Sequence, residues 1–170
     1  MARIGFCCKW IDNADQIDGF KPGDAARAWN TRVTTVAWLN RQKREDAEQR
    51  LWDLMVHNIN SIKLLVTKVG DLDDRRRMVR LGSDILPVYT EPTWSYFWKR
   101  TDVRAYAEKA LAEVGELARR LDVRLSFHPG QFCVLASDSA RIVERSIEEF
   151  EYHADMIRWM GYGQRFQDFK

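Results

Sequence analysis

Three times along this chain a short apolar strand segment is followed by a long amphipathic helix, and this alternation leaves few folds open. The strand segments are residues 2–9, Met78–Gly82 and Val123–Phe127. The helices are read from periodicity. From Glu45 to Val69, Ala47, Leu51, Leu54, Ile62, Leu65 and Val69 recur at three- and four-residue steps, with Asn58 on the same seam. From Asp102 to Leu121 the inner face is Val103, Tyr106, Ala110, Val114, Leu117 and Leu121, with Asp102 as the expected N-cap. From Ser139 to Met160 it is Val143, Ile147, Phe150, Ala154, Ile157 and Met160, and Gly161 is the expected stop. Connections of this length join parallel strands through right-handed crossovers. The expected class is α/β, of the (β/α) TIM-barrel type, as a partial barrel of about three units in one domain, 1–170. A closed barrel of eight takes roughly 250 residues. The last residues, Tyr162–Lys170, read as a loop before a further strand, and a partial barrel exposes sheet edges, so self-association or a complementing C-terminal half is expected.

Composition narrows the partners. Hydrophobic residues make up 45% of the 170 and charged residues 31%, enough for a core and a solvated surface. A net charge of +2 permits nucleic acid without arguing for it. No apolar run approaches the roughly 20 residues of a membrane span, and the N-terminus lacks a signal-peptide core, so a cytoplasmic location without membrane contact is expected. Cys7, Cys8 and Cys133 are odd in number with two adjacent, which fits neither a disulfide framework nor a CxxC zinc site. They read as reduced thiols, with a metal role for Cys8 left open.

Chemistry concentrates where the third strand ends. Val123-Arg124-Leu125-Ser126-Phe127 alternates as a strand, and Pro129-Gly130 stops it directly after His128. Ligands collect at the carboxyl ends of parallel strands. An imidazole there is a candidate metal ligand. His57 and His153 lie on helices beside apolar positions and read as half-buried or solvent-facing. Trp94–Arg100 interleaves rings with two cations, and reads as a hydrophobic lid on the barrel mouth or as a surface that tracks DNA. Arg41, Lys43 and Arg44 read as an exposed helix start.

Ile4-Gly5-Phe6-Cys7-Cys8, Asn30-Thr31-Arg32-Val33-Thr34, His57-Asn58-Ile59, Arg80-Leu81-Gly82-Ser83 with Leu86-Pro87, and above all Leu125-Ser126-Phe127-His128-Pro129-Gly130-Gln131-Phe132 stand in this order along the chain. Together they resemble the UV damage endonuclease (UvdE) family, a TIM-barrel relative of endonuclease IV. The resemblance implies cleavage of DNA 5′ to UV photoproducts with a divalent metal, commonly manganese, with zinc or magnesium as alternatives. It implies double-stranded DNA carrying UV lesions as the partner. It places His128 on a metal ligand and Gln131 and Phe132 on the pair that wedges into the duplex; a Gln beside a ring at a Pro-Gly turn can fill the gap left by an extruded nucleotide. Asn30 and Lys9 join them as DNA contacts, although Trp10 stands where the family carries Asn. Glu91 stands in Thr90-Glu91-Pro92, where the family has a Ser-His-Pro ligand. It either substitutes as a carboxylate ligand or is a solvated loop residue. The family's other metal ligands come from strands after the third. The alternatives are a noncatalytic DNA-binding or assembly fragment and a metal-dependent sugar isomerase of the xylose isomerase-like barrel type.

Overall fold

The computed structural model describes residues 2–10, 28–130 and 133–163. Three parallel strands, β1 (Phe6–Cys7), β2 (Met78–Gly82) and β3 (Arg124–His128), pair in chain order. Their register sets Cys7 beside Arg80 and Gly82 beside His128. Between and after them run α1 (Val36–Leu39), α2 (Arg44–Gly70), α3 (Ser95–Lys99), α4 (Thr101–Arg120) and α5 (Ala140–Trp159), with a 3₁₀ turn at Ser83–Ile85. This is three units of a TIM-barrel-type fold.

The strand pleat sorts the two faces of the sheet. Val79 and Leu81 are buried under helices α2 and α4, whereas Arg80 and Gly82 point to the opposite face, which in such a fold is the barrel interior. The core is the contact of α2 with α4 over β2, and all six apolar positions that set the period of α2 are buried. Gly115 allows α4 to meet the end of α5: a Cβ there would stand 1.9 Å from the Met160 carbonyl oxygen.

Three sequence expectations are corrected, and of the two readings of Trp94–Arg100 one is ruled out. β1 is two residues long rather than eight, because pairing stops where the chain turns sharply at Cys8. Asp102 is not the cap of α4. Arg100 holds that position, and its guanidinium takes up the Asp102 carboxylate at 2.8 Å. In α5 the buried residues are Ser146, Tyr152, His153 and Met156, with Met160 buried just past its end, while Ile147 and Phe150 are 48% and 39% exposed. The helix is turned by Tyr152, whose hydroxyl bonds at the exit of β2, so part of its apolar stripe lies outside the contact. The segment Trp94–Arg100 is not an exposed stacking surface. Trp94, Phe97 and Trp98 belong to the core, Trp94 Nε1 donates to Asn40 Oδ1, and Arg100 is paired with Glu48.

Candidate functional site

The carboxyl end of the sheet is shaped by two buried polar anchors. Asn58 on α2 is fully buried and satisfied: its Oδ1 accepts from the Arg32 amide at 2.7 Å, and its Nδ2 donates to the carbonyls of Arg32 and Asp84 at 3.0 and 2.8 Å. One side chain thus ties the 30–34 loop to the exit of β2. Tyr152 on α5 accepts from the Leu86 amide and donates to the Ser83 carbonyl. Both anchors answer the rule that buried polar groups must be paired.

His128 ends β3 directly opposite Gly82. One imidazole nitrogen of His128 and the thiols of Cys7 and Cys8 form a group whose three ligand atoms lie within 4.8 Å of one another. Successive residues of a strand point to opposite faces, so two adjacent thiols ordinarily diverge. Here they do not. Cys8 has a φ of 65°, the Lys9 amide donates back to the Cys7 carbonyl at 2.8 Å, and the two Sγ atoms stand 3.1 Å apart. That is a positive-φ γ-turn, a rare and strained conformation for a residue with a side chain. The Cys8 amide donates to the Arg80 carbonyl at 2.7 Å, so β2 holds the turn in place. Burial and the neighbouring Cys7 push the Cys8 thiol up to about 11. Gly82 keeps the space beside this turn open: a Cβ there would touch Cys8 Cβ and Sγ at 3.8 Å.

At the same end a cavity of about 190 Å³ is lined by Thr34, Asp84, Thr90, Glu149 and Tyr152 among others. Burial raises the Glu149 carboxyl above its usual range. The sequence reading missed Asp84 and Glu149, since one lies in a turn and the other on the outer rows of a helix. Only the cavity unites them.

Of the expected site residues, His128 joins the two thiols at this end. Glu91 does not join the thiol and imidazole group. Its carboxylate accepts from the Thr93 hydroxyl at 3.3 Å, and its carbonyl accepts from the Trp94 and Ser95 amides. Lys9 is exposed and closes the γ-turn with its amide. Asn30 holds Trp10 in place, accepting from its amide and donating to its carbonyl, each at 3.0 Å. Gln131 and Phe132 lie outside the described residues. His57 bonds with the Asn30 carbonyl and the Ser61 hydroxyl, and burial lowers its pKa. His153 is buried, with Nδ1 donating to the Glu149 carbonyl at 2.7 Å.

Among the described residues no helix is long and apolar enough to cross a membrane. The family model described as UV-endonuclease UvdE matches residues 3–169. A UV DNA damage endonuclease of Bacillus velezensis is 29% identical over 143 residues, covering 84% of this chain and 41% of that protein. The UV-damage endonuclease of Neurospora crassa is 36% identical over 81 residues, 48% of this chain and 12% of that protein. In three dimensions the crystal structure of SacUVDE superposes with a TM-score of 0.69 over 95% of this chain and 46% of that one, at 20% identity. The chain therefore spans less than half the length of these relatives.

Proposed function

We propose that this chain, which belongs to the UV-endonuclease UvdE family, acts on UV-damaged DNA as the opening part of a UV-damage endonuclease barrel. The observation that carries the proposal is the match over residues 3–169, with His128 and the Pro129-Gly130 turn at the carboxyl end of β3. In this reading Gln131 and Phe132 follow that turn into the duplex and read the lesion. Lys9 and Arg32, both exposed at the same end, neutralise backbone phosphates, and Asn30 fixes the loop that presents Arg32. The resulting cut is placed on the 5′ side of the photoproduct.

A divalent metal is part of the proposal; when bound, it supplies Lewis acid chemistry and a hydroxide near neutral pH. His128 is the imidazole this chain offers it, and Glu91 is the carboxylate added by resemblance. The fit to manganese is incomplete among the described residues. Manganese favours oxygen ligands, whereas the donors beside His128 are thiols and the Glu91 carboxylate is engaged by Thr93. That donor set favours a second reading, in which this chain recognises damage without cutting by itself.

The test is nicking of UV-irradiated against unirradiated supercoiled plasmid by the purified chain, with manganese, zinc or magnesium added. Damage-dependent nicking that His128→Ala abolishes supports the endonuclease. Damage-dependent binding without nicking supports the second reading. Indifference to irradiation in both assays contradicts both.

A further inference from the structure

We propose that Cys7, Cys8 and His128 form a binding site for a thiophilic divalent ion, zinc before manganese, at the carboxyl end of the sheet. The proposal needs these three donors alone and stands whether or not the chain cuts DNA.

Four observations converge on it. The ligand atoms of the three residues already lie within 4.8 Å of one another. In a tetrahedral zinc site, with Zn–S about 2.3 Å and Zn–N about 2.0 Å, neighbouring ligand atoms stand roughly 3.5–3.8 Å apart. The thiols, at 3.1 Å, need to open by about 0.7 Å to meet that edge, and no pair needs to close by more than about 1.3 Å. The γ-turn at Cys8 cancels the alternation that would send the two thiols to opposite faces, in a strained backbone conformation. The bond from the Cys8 amide to the Arg80 carbonyl holds the turn and leaves Cys7 exposed and Cys8 half-buried, so both thiols stay accessible to an incoming ion. Finally, Gly82 lies between the turn and His128 and leaves the room that a side chain would fill.

The donor set decides the metal. Two thiolates and an imidazole suit zinc, which accepts sulfur and nitrogen in tetrahedral geometry, and offer little to manganese or magnesium. Binding replaces the two thiol protons, which pass to solvent, and leaves a fourth position for water or another ligand.

Cobalt(II) is the probe, because thiolate ligation gives it an ultraviolet charge-transfer band and tetrahedral geometry gives it strong visible absorption. The reduced 170-residue chain is expected to develop both on titration, and zinc should abolish them where excess manganese does not. Cys7→Ser and Cys8→Ser should each remove about half of the charge-transfer intensity and weaken binding more than about tenfold, the order by which even ligand-supporting groups matter. His128→Ala should weaken binding while the sulfur band persists, and Cys133→Ser should change nothing. Cys7 is exposed, so Cys7→Ser leaves the fold intact and carries the test even if Cys8→Ser misfolds. A folded, reduced chain without the band overturns the proposal. So does a band that survives the double serine variant, one that Cys133→Ser removes, or a Cys7–Cys8 pair that cycles between disulfide and dithiol and takes up no metal in either state.

Discussion

The Tyr152 hydroxyl accepts a hydrogen bond from the buried Leu86 amide at 2.9 Å, joining α5 to the exit of β2 across 66 residues of chain. It also donates to the Ser83 carbonyl at 2.8 Å. Tyr152→Phe keeps the ring against Tyr89 and strands both backbone groups. The expected loss is about 1–3 kcal/mol in urea unfolding, since an orphaned buried donor costs its full desolvation penalty.

Asn58→Ala removes the side chain that bonds both Arg32 and Asp84. A loss of about 3 kcal/mol is expected, together with faster amide hydrogen exchange in residues 30–34 than elsewhere. Equal acceleration across the whole chain would show that Asn58 serves global stability and not the placement of the loop.

Gly115→Ala drives a methyl into the Met160 carbonyl, which as backbone cannot swing aside. Destabilisation of about 1–3 kcal/mol is expected in thermal unfolding. An unchanged melting temperature would mean that α4 and α5 are not in this close contact.

Glu149 carries the pH dependence of the cavity. Burial raises its folded-state pKa above the ordinary glutamate value, so the fold favours the protonated acid. That contribution is complete below the unfolded value of about 4.3 and is lost as pH rises through the raised folded value. Glu149→Gln should therefore melt above the wild type near about pH 7.5, with the gap closing toward about pH 4. A variant less stable than wild type at neutral pH would show that the carboxylate is paired there.

Much of this was legible from periodicity. The long helix read as 45–69 is observed at Arg44–Gly70, and the strand ending at His128 is Arg124–His128. Both have patterns set by a single buried face. The short helices α1 and α3 were not legible, because four or five residues carry no period. In α5 Ile147 and Phe150 follow the apolar period and still face outward, since the rotation of that helix is set by the hydroxyl of Tyr152 and not by its apolar stripe. The thiol pair was the least legible feature. Adjacent cysteines on a strand should diverge, and only the tertiary hold of β2 on Cys8 reveals that they meet His128.

The most direct measurement of the central claim is fluorescence anisotropy of the chain with a duplex carrying one pyrimidine dimer and with the same duplex undamaged. The account predicts tighter binding to the damaged duplex by at least about tenfold, equivalent to about 1.4 kcal/mol, and loss of that preference in the Gln131→Ala Phe132→Ala variant. Equal affinity for the two duplexes, or a preference that the double variant retains, would contradict it.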